Sequence, residues 1–325
     1  METTLEQTTA ITSPDRLKEI TNSFINEQDV KANSKTAYKN NLTAFFVWIK
    51  DKGYELDQLS RPSIIEYKQD MLNEGKSILT ISARLSTVRL FFEWCEGHRL
   101  FPNIARGVKA PKRREKIHRT PLTAQETSSL LDYFANQSTG TSHPEAFEPL
   151  SITEKRNFAL VNLMFRTGMR CIEISRLNIN DIFYSSGTRK IAIRGKGYDG
   201  VSRILKLSDK AYKPIQDYLS YRGATSGPVF VSTSNNSHNK RLNTRTISAI
   251  CKKGMQAVGI DDRTFTAHSA RHTFAVLAMK EGASERQVQF DLGHTTSTTT
   301  QIYTKHIHQE QMIENGAAAM LDNVF

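Results

Sequence analysis

The chain has 325 residues, 38% of them hydrophobic, which suits two packed cores and argues against wholesale disorder. No run approaches the roughly 18 consecutive apolar residues of a membrane span, Met1 to Ile11 lacks the basic residues of a signal peptide, and three scattered cysteines offer neither a disulfide framework nor metal-ligand spacing, so a reduced cytoplasmic protein without a structural metal is expected. The net charge of +11 points to a polyanionic partner, and it is uneven: residues 1–100 hold 13 basic and 14 acidic side chains, 101–120 hold 7 and 1, and 121–325 hold 24 and 18.

In chain order, residues 1–12 are expected to be disordered. Ser13-Pro14 opens a first helix with Leu17, Ile20, Phe24 and Ile25 on one face. Ser34 is expected to cap a second, with Tyr38, Leu42, Phe45, Phe46 and Ile49 at helical spacing up to Gly53. Pro62 starts a third, carrying Ile65, Tyr67, Met71 and Leu72. A fourth spans about Ser77 to Cys95, with Ile81, Leu85, Val88, Leu90, Phe91 and Trp94 as its apolar side. These helices make a module over 13–101. The segment 102–121 holds three prolines and seven cations, among them Lys109, Lys112, Arg113, Arg114, Lys116 and Arg119. An extended basic linker able to track phosphates is the expectation.

The remainder, 122–325, reads as mainly helical with one β insertion. Helices are expected from about Thr123 to Phe134 and Thr153 to Arg166, separated by a Ser/Thr/Gly/Pro-rich loop over Asn136–Pro149. Strands over Lys190–Arg194 and Ser202–Leu207 flank a turn at Gly195–Gly200. Residues 307–325 suit a terminal helix with apolar Met312, Ile313, Met320 and Leu321.

Several residues in this half fit phosphodiester chemistry. Cutting such a bond needs a nucleophile, a proton donor for the leaving oxygen, and cations for the charge that grows on the non-bridging oxygens. Guanidiniums suit that last task because each is a planar fork of donors that stays ionised. Thr167-Gly-Met-Arg170-Cys-Ile-Glu173 places an arginine just after a glycine turn. Lys196 stands in the hairpin turn. His268-Ser-Ala-Arg271-His272 puts His and Arg three apart on a helix face. Leu292-Gly293-His294 follows, and Tyr303 comes nine residues later. Each piece alone is weak, since each residue type is more often core, rim or solvated surface.

Together and in this order, the five motifs resemble those of the tyrosine recombinase (phage integrase) family, and the resemblance extends over roughly residues 14–310. It implies a mainly α fold with a small β-sheet: an N-terminal helical, SAM-like core-binding domain and a C-terminal mixed α/β catalytic domain that together clamp DNA. It also implies roles. Tyr303 would attack the scissile phosphate, giving a 3′-phosphotyrosyl bond and a free 5′-hydroxyl. Arg170 and Arg271 would hold the non-bridging oxygens, and Lys196 would protonate the leaving oxygen. His268 would assist proton transfer, His294 would bond the phosphate, and Glu173 and His272 would support their neighbours. Neither cofactor nor metal is implied, and the bond energy is stored in the phosphotyrosine. Expected partners are duplex DNA with an inverted-repeat site and three further copies of the chain, joined as a homotetramer on synapsed DNA by exchange of C-terminal tails, with packing of the tail on its own domain the alternative; accessory proteins are left open. Such an enzyme would work at the nucleoid.

The first helix begins near residue 14, which leaves no room ahead of it for an arm-binding domain and points to the simple architecture of Cre, Xer and some transposon recombinases. The integrase or recombinase of a mobile element is the expected role, with Xer-type dimer resolution the alternative and type IB topoisomerase-like relaxation a more distant one. His268-Ser-Ala-Arg271 and Asp291 before Leu292 depart from the commoner family pattern, at positions that carry no catalytic role in it.

Overall fold

The computed structural model describes residues 14–112, 121–136, 150–195, 200–261 and 265–314. The chain divides into two compact units, Met1–Lys116 and Ile117–Phe325.

The first unit holds α1 (Pro14–Glu27), α2 (Ala32–Asp51), α3 (Arg61–Asn73) and α4 (Ile78–Gly97). Its core is strongly aromatic: Phe24, Phe45, Tyr67, Phe91 and Phe92 are almost fully buried, with Phe24 edge-on to Phe91 at 5.6 Å and Phe45 beside Tyr67 at 5.0 Å. Rings in such geometry add about 0.5–1.5 kcal/mol per pair beyond their burial. Local chemistry shifts some expected boundaries. Helix α2 starts two residues before Ser34, with Lys31 at the N-cap and no side-chain cap. Helix α3 starts after Ser60, leaving Pro62 inside the first turn, where its missing N–H costs nothing. Ile65, Leu72 and Leu90 were expected in the core; all three are exposed, and Ile64 is fully buried instead. The expected extended linker also begins later than residue 102. Phe101, Ala105 and Val108 pack into the first unit's core, through turns closed by Val108 N–H to Ala105 O and by Arg61 Nη1 to Arg106 O. Lys109 and Lys112 are exposed, whereas Arg113, Arg114, Lys116 and Arg119 lie outside the described residues.

The second unit is organised around α6 (Ile152–Thr167), whose Ala159, Leu160, Val161, Leu163 and Met164 are all fully buried. Around it lie α5 (Ala124–Ala135), α7 (Cys171–Arg176), α8 (Asp209–Arg222), α9 (Thr244–Ala257), α10 (Ala267–Lys280), α11 (Glu285–Leu292) and α12 (Ser297–Glu314). Capping boxes start α5 at Thr123 and α6 at Ser151, each with a Glu at the third helical position. The sheet has three antiparallel strands, β1 (Ile182–Ser185), β2 (Thr188–Arg194) and β3 (Val201–Lys206), rather than the two expected. The additional hairpin turns at Ser186-Gly187, where φ is 50° and 72°. A two-residue turn with positive φ at both positions matches the strand twist. The loop 137–149, Lys196 to Asp199 of the β2–β3 turn, and 315–325 of the expected terminal helix lie outside the described residues.

Helix α9 crosses α5 closely because it carries Gly254 at the contact. A Cβ there would stand 2.3 Å from Cε2 of the buried Phe134 ring. Gly254→Ala is expected to destabilise this unit by about 1–3 kcal/mol, the usual cost of overpacking a filled interior. Urea denaturation checks this as a lower midpoint, and an unchanged midpoint would contradict the packing described.

Candidate active site

Helix α6 ends at Gly168 in the left-handed conformation (φ 62°). Glycine is required twice over, because a Cβ would also lie 2.6 Å from Leu292 Cδ2 and 2.7 Å from Phe274 Cδ1. The tight reversal places Arg170 at the N-cap of α7 and Glu173 at its third residue. From there the Glu173 carboxylate reaches back, and Arg170 N–H donates to its Oε2 at 2.8 Å. The three-residue spacing of Arg and Glu in the motif thus has a helix-capping cause. Arg170 Nη1 donates to Glu173 Oε1 at 3.0 Å and to Leu292 O at 3.4 Å.

Arg271 on α10 is 1% exposed. It donates from Nη1 to Gly168 O at 2.9 Å and from Nη2 to Leu292 O at 2.5 Å. Leu292 is the last residue of α11, so two guanidiniums converge on the negative end of that helix. Burial, reinforced by the nearby charge of Arg170, pulls the Arg271 pKa down to about 10, which leaves the group cationic at neutral pH.

Gly293 ends α11 in the left-handed region and turns the chain into His294. His294 Nδ1 lies 2.8 Å from Oγ1 of the fully buried Thr300. Helix α12 then carries Tyr303, 4% exposed, between two imidazoles. The His272 ring meets it edge-on at 4.5 Å, and the His294 ring lies roughly parallel at 6.0 Å. Tyr303 and Leu292 share a small core with Ala275, Val276 and Val288.

Arg170, His268, Arg271, Gly293, His294, Thr295, Thr296 and Tyr303 line one cleft of about 260 Å³. Of the expected catalytic residues, five are therefore brought together and Lys196 lies outside the described residues. Glu173 stands behind the cleft, fully buried. Burial alone would raise its pKa, but hydrogen bonds and charge from Arg203, with those of Arg170, hold it below the usual carboxylate range. Its contribution to stability is accordingly present above that range and lost as pH falls through the lowered value.

Arg203 and Thr300 were not anticipated. Arg203, on β3, is 7% exposed and binds Glu173 through both forks, Nη1 to Oε1 at 2.9 Å and Nη2 to Oε2 at 3.0 Å. A usable signal existed: Arg203 shares the alternation phase of Leu205 and Leu207, so it belongs to the inward face of the strand. Among the described residues, no group of three or more His, Cys, Asp or Glu side chains could hold a metal ion, and no helix is long and apolar enough to cross a membrane.

A model of the phage integrase family matches residues 118–310, and a model of the phage integrase N-terminal SAM-like domain matches residues 18–97. The chain belongs to the phage integrase family. Tyrosine recombinase XerD of Oceanobacillus iheyensis is 30% identical over 288 residues, covering 86% of this chain and 89% of that protein. Tyrosine recombinase XerC of Corynebacterium glutamicum is 27% identical over 311 residues, covering 93% and 92%. The crystal structure of XerH site-specific recombinase bound to a palindromic difH substrate, a post-cleavage complex, matches with a TM-score of 0.71 at 19% identity. That match covers 88% of this chain and 80% of the XerH chain and shows the shared fold. The protein is a tyrosine recombinase, an enzyme that cleaves and rejoins DNA.

In this recombinase, burial first, and then the positive charge of Arg271, Arg170 and Arg203, lowers the His294 pKa to about 4. His294 is therefore neutral at pH 7 in the free protein. An unfolded histidine takes its proton near pH 6.5, so the stability from this group is full above that pH and declines as pH falls towards 4. An NMR titration of the free protein should place the His294 midpoint near pH 4, and duplex DNA in the cleft should raise it by adding an anion. A midpoint at the ordinary value would contradict the electrostatics described.

Proposed function

We propose that the recombinase exchanges DNA strands at a specific site through a covalent bond to Tyr303. The observation that carries this reading is the convergence of Arg170, His268, Arg271, His294 and Tyr303 on one cleft, at whose back a single carboxylate faces three guanidiniums. Tyr303 Oη attacks phosphorus and loses its proton with help from His268. Arg170 and Arg271 meet the charge growing on the non-bridging oxygens. Neutral His294 donates a hydrogen bond to one of those oxygens. The P–O5′ bond breaks, Lys196 protonates the leaving oxygen, and a 3′-phosphotyrosyl ester remains. Attack by a partner strand's 5′-hydroxyl reverses these steps and passes through a Holliday junction.

The partner is duplex DNA carrying inverted half-sites, held by four copies of the chain. Exposed Lys109 and Lys112 begin the basic segment that would follow the phosphates between the two domains of the clamp. The tail beyond Glu314 would pass between neighbouring copies, coupling each tyrosine to the next site. Two biological roles fit. A mobile-element integrase or recombinase is the first; the Xer names of relatives that match this chain along most of their length favour the second, resolution of chromosome or plasmid dimers at the nucleoid.

Wild type and Tyr303→Phe, expressed in cells carrying the native neighbouring DNA and the host chromosome, separate these readings when covalent adducts are isolated and their ends sequenced. Adducts are expected at one inverted-repeat site with wild type and at none with the variant, which should still bind DNA. Scattered wild-type adducts would replace the recombinase reading with topoisomerase-like relaxation, and equal adducts in both strains would overturn the role of Tyr303.

A further inference from the structure

We propose that Arg203 is a positioning residue that neutralises Glu173 and thereby leaves Arg170 and the cleft cationic enough to engage a phosphodiester. This inference rests on the phosphodiester reading above.

Its geometry separates it from the side chains that face the cleft. All three guanidinium nitrogens of Arg203 are committed: Nη1 and Nη2 to the two oxygens of Glu173, and Nε to Asp291 O at 2.8 Å. Each nitrogen is thus turned towards the protein rather than the cleft, and the side chain is buried. Gly293 stands between Arg203 and the cleft, and a Cβ at Gly293 would lie 2.7 Å from Arg203 Nη1. Arg170 is the opposite case. Only its Nη1 is held, by Glu173 and Leu292, and its Nε and Nη2 take no hydrogen-bond partner among the described residues. Its side chain is 30% exposed and lines the cleft.

The charge balance gives the pair its consequence. Without Arg203, the buried carboxylate would have Arg170 as its nearest cation. It would draw that guanidinium into a closed ion pair and place uncompensated negative charge behind the phosphate site. With Arg203 present, one carboxylate is shared by two guanidiniums, and Arg271 adds a third cation. The same residue ties two parts of the site together. Strand β3 follows the turn that contains Lys196, and the bond to Asp291 O fixes the end of α11 just before His294. A bidentate fork reaching both a carboxylate and a backbone carbonyl suits arginine better than lysine.

The test uses full-length protein and a nicked suicide duplex bearing the site recovered from wild-type adducts, with single-turnover cleavage measured from pH 5 to 8. Arg203→Met should cleave at least tenfold more slowly than wild type while its DNA affinity stays within about threefold. Its deficit relative to wild type should shrink as pH falls, because Glu173 loses the partner that lowers its pKa and takes up a proton that removes the uncompensated charge. Arg203→Met/Glu173→Gln, which removes both buried charges, should cleave several-fold faster than Arg203→Met. The double variant also covers the case in which the single one fails to fold, since replacing a whole buried pair is often near neutral in stability whereas breaking it is not. In that event Arg203→Lys, which keeps the charge, is the single variant, expected to outpace the double. Cleavage by Arg203→Met at the wild-type rate, or a double variant no faster than it, would overturn the proposal, as would Arg203→Lys slower than the double. Absence of cleavage by wild type would instead overturn the reading of Tyr303.

Discussion

Glu173 is fully buried, and its carboxylate accepts four hydrogen bonds, two from Arg203, one from Arg170 Nη1 and one from the Arg170 backbone amide. Taking a carboxylate out of water costs several kcal/mol even after relaxation, and only a full set of charged donors offsets it. That single group offsets part of the repulsion among three guanidiniums. It also fixes the start of α7, and hence the direction in which Arg170 leaves the backbone.

The second organising group is a carbonyl. Leu292 O closes α11 and accepts from both Arg170 and Arg271, so the negative end of a helix supplies what a second carboxylate could have supplied. The difference matters for an enzyme that must bind a phosphate. A carbonyl holds cations in place while subtracting no full charge, and the cleft stays positive. The cost is visible in Arg271 and His294, whose pKa values are both lowered by burial and by neighbouring cations. On the proposed reading, a phosphodiester in the cleft would relieve that repulsion.

Much of this was legible in the sequence. Helices announced themselves through 3.6-residue periodicity, with starts placed at Ser77 and Thr123, and the motifs held five residues that line one cleft. What was not legible depended on partners distant along the chain. Ile64 rather than Ile65 faces the core because helix rotation is set by packing against neighbouring helices, which one strip of sequence does not reveal. Strand β1 is only four residues long, and its pairing with β2 rests on the Ser186-Gly187 turn. Arg203 was hidden because an arginine in a strand is ordinarily surface. Its meaning appears only when β3 folds beside α7 and the end of α11.

The most direct measurement is peptide mapping of the covalent complex. The suicide-trapped adduct would be digested with nuclease and protease and the nucleotide-bearing peptide identified by mass spectrometry. The account predicts a nucleotide esterified through its 3′-phosphate to Tyr303. A nucleotide on any other tyrosine, or one joined through a 5′-phosphate, would contradict it.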